Sequence, residues 1–267
     1  MYPDSMRGWS FYYDQTGAVC ATSPACRMVL GPGTPPLGSG SAELEGSPAV
    51  HGKALILADY AGTRFDEITD LRYSTYRQTA DTGNSLAISL EFNVDYNLSD
   101  PAKGYQGRLV FEPSAGTGGN VSQNTWQTWD ARAGKWWGTK SVVTGSGASA
   151  ANPCVQATPC TRAALLAAFP NIGVHSRFGA VILKAGSGWL GFRGNVDKLT
   201  IGVGGAATTF DFELTAPPSV QPFPDSVPGP PSAAALDSLP GIALTARVDS
   251  NLLVSRAMYV VFNLNPA

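Results

Sequence analysis

Residues 85–97 read SLAISLEFNVDYN. Leu86, Ile88, Leu90, Phe92 and Val94 fall on one side of an extended chain, and Ser85, Ala87, Ser89, Glu91, Asn93 and Asp95 on the other. Successive side chains of a strand point to opposite faces, so this alternation predicts a strand with one face in a core and one in water. Nothing in the stretch follows the helical period of 3.6. The fold is therefore read outward from a half-buried antiparallel strand.

The neighbouring segments speak the same language. EITDLRYSTYRQ (67–78) alternates, with Ile68, Leu71, Tyr73 and Thr75 turned inward. GWSFYY (8–13), Ser41–Glu45, KALILADY (53–60), GRLVFEP (107–113), TWQTWDA (125–131), FGAVILKAG (178–186), VDKLTIGV (196–203) and TTFDFEL (208–214) read as further strands. One helix is expected, in RAALLAAF, with Thr161 as its N-cap and Pro170 beyond its end. Roughly ten short strands and one helix predict an all-β, two-sheet antiparallel sandwich.

Composition agrees. The 267 residues include 30 Gly and 20 Pro, which punctuate many short segments. Only 14% are charged, against about 25% in an average soluble domain. The net charge of −2 gives no electrostatic footprint for nucleic acid or an anionic membrane. Neither a membrane-spanning run nor a signal peptide is legible. Cys20 and Cys26 flank one five-residue segment, and Cys154 and Cys160 another, each containing Pro. Two local disulfides are expected, because zinc prefers tighter pairs with more Cys or His nearby. Disulfides place the chain in an oxidising, extracellular setting. Asn97-Leu98-Ser99 and Asn120-Val121-Ser122 are sequons.

After Leu214 the character changes. Residues 215–235 form a Pro-rich segment, expected to be an extended spacer. Beyond it, 236–267 carries a strand or hairpin, with IALTARV and LLVSRAMYVVFNL flanking a tight polar turn at Asp249-Ser250-Asn251. The domain reading is thus 1–214, 215–235 and 236–267. Met258, Tyr259, Val260, Val261, Phe262 and Leu264 are uncharged and strand-forming, a hazard if left exposed. They are the expected assembly surface.

The succession GPGTPPLGSGSAEL, ITDLRYSTYR, LEFNVDYN, LVFEP, TWQTWDA…KWWG, FPNIGV and VDKLTIGV…TTFDFE resembles a jelly-roll, lectin-like domain common in secreted bacterial surface proteins. The resemblance covers about residues 8–214. It implies an extracellular or cell-surface jelly-roll-like sandwich in a bacterium, related in shape to carbohydrate-binding modules, with no defined catalytic residues.

Candidate chemistry is sparse. Glu91 and Asp95 share a strand face, but their Cα atoms should lie about 13 Å apart. Carboxyl pairs of glycosidases lie roughly 5–9.5 Å apart. His51 and His175 are the only histidines, and neither has a nucleophile motif beside it. No catalytic residue, and no enzyme, is expected. Calcium is the single candidate cofactor, at Asp59, Asp66, Glu67 and Asp70, whose oxygen ligands would suit it. Trp136, Trp137 and Trp189 are the candidate ligand-binding aromatics. The leading expectation is a structural protein whose C-terminal strand adds to a sheet edge of another copy, building a filament or array. The alternative is a carbohydrate-binding or adhesive module with polysaccharide as partner, ahead of a secreted glycoside hydrolase.

Overall fold

The computed structural model describes residues 1–20, 26–46, 52–79, 86–101, 104–143, 149–186, 189, 191–216, 242–247 and 261–266. His51, most of the Pro-rich segment, and Met258, Tyr259 and Val260 lie outside the described residues. The chain divides into Met1–Pro217 and Pro218–Ala267.

Along the first unit the strands are β1 (Trp9–Tyr13), β2 (Cys26–Leu30), β3 (Gly40–Glu45), β4 (Lys53–Leu57), β5 (Ile68–Arg77), β6 (Ser89–Asp95) and β7 (Arg108–Phe111). They continue as β8 (Trp126–Asp130), β9 (Lys135–Gly138), β10 (Val142–Val143), β11 (Ser149–Ala150), β12 (Cys160–Thr161), β13 (Gly173–Val174), β14 (Val181–Ala185), β15 (Arg193–Val203) and β16 (Ala206–Phe210). Two short helices interrupt them, α1 (Pro113–Thr117) and α2 (Arg162–Ala168), one more than the sequence signals. Thr161 caps α2 as expected, its hydroxyl accepting from the Ala164 N–H.

Two antiparallel sheets carry the fold. In the first the order is β1-β4-β14-β6-β7-β9-β12, with β13 also paired to β6; in the second it is β2-β3-β15-β5-β8, with β16 on β15. The alternation that opens the sequence decides the packing. Leu90, Phe92 and Val94 of β6 turn to the core and are buried. They meet Tyr73, Phe111 and Trp136, whose rings pack edge-on or tilted against one another. Trp136 also stacks on Phe92 with ring centroids 5.6 Å apart. Ile68, Leu71, Tyr73 and Thr75 of β5 are buried as the sequence predicts.

The other face of β6 departs from expectation. Ser89, Glu91 and Asp95 are buried rather than in water: Arg108 and Ser89 donate to Glu91, and Asp95, opposite Gly173 of β13, accepts from Gln106. β15 and β16 join through Gly204-Gly205, both at positive φ. A type I′ hairpin turn, whose twist matches that of the strands, needs positive φ at both central residues, which glycine adopts without strain.

Both expected disulfides are present, Cys20–Cys26 and Cys154–Cys160. Among the described residues no helix is long and apolar enough to cross a membrane.

In the second unit β17 (Ile242–Arg247) pairs antiparallel with β18 (Val261–Pro266). Val261, Phe262 and Leu264 therefore lie on a paired strand. The tight polar turn expected at Asp249-Ser250-Asn251 lies outside the described residues.

Candidate functional site

The outer face of the first sheet carries a polar cleft. Cross-strand register builds it: Ile182 of β14 pairs with Glu91 of β6, Glu91 with Val110 of β7, and Val110 with Trp137 of β9. One row away, Lys184 pairs with Ser89, and on the other side Asn93 pairs with Arg108. Residues two apart on a strand share a face. Lys184, Glu91, Arg108 and Trp137 are therefore brought together by four strands from distant parts of the chain. Asp14, just past β1, completes the floor, and Glu112, Gln156 and Trp189 form part of the wall. The cleft volume is about 480 Å³, within the usual range for small-molecule sites.

The floor is a closed charge network. Arg108 donates through Nη1 to Glu91 Oε2 at 3.0 Å and through Nη2 to Asp14 Oδ1 at 2.5 Å. Lys184 Nζ lies 2.7 Å from Asp14 Oδ2 and 4.0 Å from Glu91 Oε1. The Ser89 hydroxyl donates to Glu91 Oε1 at 2.9 Å. Burial works to raise the Asp14 carboxyl, but the hydrogen bonds and charges of Arg108 and Lys184 outweigh it and hold Asp14 below its ordinary value. Burial likewise works to lower the Arg108 guanidinium, and the carboxylates of Glu91 and Asp14 raise it instead. Asp14 thus stays ionised at neutral pH, and both oxygens of Glu91 are already engaged.

Two buried donors bordering the cleft, Arg108 Nε and Trp137 Nε1, have no hydrogen-bond partner among the described residues. Leaving a buried donor unmatched costs about 1–3 kcal/mol. Such departures from a fully satisfied interior concentrate where a protein is shaped for function.

The aromatic candidates separate. Trp137 and Trp189 line the cleft, whereas Trp136 belongs to the core. Adjacent residues on a strand face opposite ways, so one of the two must turn inward, and Trp136 fills the space between Phe65, Phe92 and Phe111. Its indole N–H donates to the Ala131 carbonyl at 2.8 Å. Trp189 packs edge-on against Phe192 and lies over Gly186, where a Cβ would meet the Trp189 ring at 2.7 Å.

The acidic residues of 59–70 do not converge. Arg64 binds both oxygens of Asp66, and its backbone N–H donates to Glu67. Arg72 binds both oxygens of Asp70. Among the described residues no group of three or more His, Cys, Asp or Glu side chains is placed to hold a metal. Asp95 accepts from the Asn97 backbone N–H and the Gln106 amide, and so braces a turn. His175 is buried; its Nδ1 accepts from the backbone N–H groups of Arg177 and Phe178, leaving Nε2–H to donate to the Gly104 carbonyl.

A second hollow, about 350 Å³ and mostly apolar, lies between β1 and β2, the terminal strands of the two sheets. Trp9, Phe11 and Met28 line it with Val19, which is 62% exposed.

Sequence reasoning missed Asp14, Arg108, Lys184, Glu112 and Gln156. A signal existed for two of them: Arg108 and Lys184 are lone cations in otherwise apolar strands, and a charge there must find a partner. No family model, curated protein or solved structure matches the chain.

Proposed function

We propose that the protein is a non-catalytic, extracellular saccharide-binding module, with the polar cleft of the first sheet as its site. The observation that carries this reading is the combination within one cleft of Trp137 and Trp189 with a fixed floor of Asp14, Arg108, Glu91 and Lys184. Indole rings offer flat apolar surfaces for the C–H faces of a pyranose, and ionised groups held in place offer strong hydrogen bonds to its hydroxyls. The two disulfides support an oxidising compartment. The sequence resemblance to lectin-like domains points the same way. A glycan array probed with the intact protein and with Trp137→Ala tests the reading. The native protein should bind a defined set of saccharides, and the variant should lose at least tenfold in affinity, about 1.4 kcal/mol. Binding to no saccharide, or equal binding by the variant, would overturn it.

A second reading is favoured by the apolar hollow between β1 and β2. Strand addition between copies would place the uncharged C-terminal strand of one copy against β2, the terminal strand of the second sheet, in another. Among the described residues β17 and β18 form a two-stranded sheet, which is marginal in water by itself. Deleting residues 240–267 should then leave a folded monomer and abolish assembly. A full-length protein that stays monomeric at high concentration excludes it.

A further inference from the structure

The cleft does not end at Trp189. A smaller hollow of about 200 Å³ adjoins it and shares Glu112, Gln156 and Trp189 with it. On the far side that hollow is lined by Leu86, Ala87 and Ser114. The two together make one groove rather than a single cup, with Trp189 at the junction.

The charges along the groove are unequal in use. Arg108 and Lys184 are both committed to Asp14 and Glu91. Glu112 is a third carboxylate, which accepts from the Gln156 amide at 3.3 and 3.4 Å and has no ion pair among the described residues. Among the described residues that line the two hollows there is therefore one more carboxylate than cation. A uronate or sulfate entering it would meet net negative charge with no uncommitted cation among these groups to receive it. A neutral sugar would instead find an acceptor and donor pair in Glu112 and Gln156 for its hydroxyls. It would also find an apolar surface in Leu86 and Trp189 for its C–H face.

Building on the saccharide reading, we infer that the groove takes the interior of a linear, uncharged polysaccharide, with consecutive sugar units in the cleft and in the adjoining hollow. Affinity then grows with chain length, because the second hollow contributes only when the ligand reaches past Trp189.

Titration calorimetry on the intact protein tests this with neutral oligosaccharides of two and six units from the series that binds on the array, and with hexagalacturonate as the anionic chain. The neutral hexasaccharide should bind about tenfold tighter than its disaccharide. Leu86→Ala lines only the second hollow, so it should weaken the hexasaccharide and leave the disaccharide unchanged. Equal affinity for both lengths, or tighter binding of hexagalacturonate, would overturn the inference while leaving a saccharide site intact. Binding of no oligosaccharide would overturn the site and the inference together.

Discussion

Arg108 and Asp14, 94 residues apart in the chain, meet at 2.5 Å on the floor of the cleft. The side chains of Arg108, Asp14 and Glu91 are only 16%, 11% and 6% exposed. Two carboxylates can be held this close in a half-dry site because Arg108 and Lys184 stand between them. The network fixes the position of the groups a ligand would meet and keeps Asp14 ionised.

Arg108→Met should destabilise the protein by about 3 kcal/mol, because Asp14 and Glu91 then share Lys184 alone in a largely buried setting. Urea unfolding at neutral pH measures this, and a loss below about 1 kcal/mol would show that the bridge matters little. The acid limb provides a second readout. The folded-state value of Asp14 is depressed, so its contribution is fully present above the unfolded carboxyl value of about 3.9 and fades as pH falls through the lower folded value. Wild type should lose stability more steeply than Arg108→Met below about pH 4.

Asp197 predicts the opposite slope in a different window. Burial pushes its carboxyl up to about 7, although backbone N–H groups of Lys198, Phe212 and Leu37 favour the ionised form, and Asp211 adds repulsion. Between about pH 4 and pH 7 the folded state holds this proton and the unfolded state does not. Stability should therefore decline by up to about 1.4 kcal/mol per unit as pH rises through that range. Asp197→Asn removes the proton from both states, so the decline should flatten whatever the variant's overall stability. An unchanged slope in denaturant titrations from pH 4 to pH 8 would refute this.

The Cys154–Cys160 disulfide should matter to binding, and Cys20–Cys26 should not. The loop closed by the first contains Gln156, which lines both hollows and holds Glu112. Replacing either Cys pair by Ser should cost about 2–3 kcal/mol of stability. Only Cys154→Ser/Cys160→Ser should also weaken saccharide affinity, several-fold, when both variants are measured well below their unfolding temperatures. Equal affinity in the two variants would remove the loop from the site.

By itself the sequence determined what depends on near neighbours. The alternation at 85–97 made β6 a strand and chose Leu90, Phe92 and Val94 for the core. Thr161 placed the start of α2, and two six-residue spacings paired the cysteines. These features are written in local period, propensity and spacing, and folding only has to agree with them. Tertiary structure alone decided the cleft. β6, β7, β9, β14 and the residue just past β1 supply its floor, and no local pattern says that residues near 14, 91, 108, 137 and 184 will share one face. It also decided that Trp136 is core and Trp137 is surface. Both lie on one short strand, and alternation requires them to differ without saying which turns inward. That choice came from the space left by Phe65, Phe92 and Phe111, which exists only once the two sheets have closed over it.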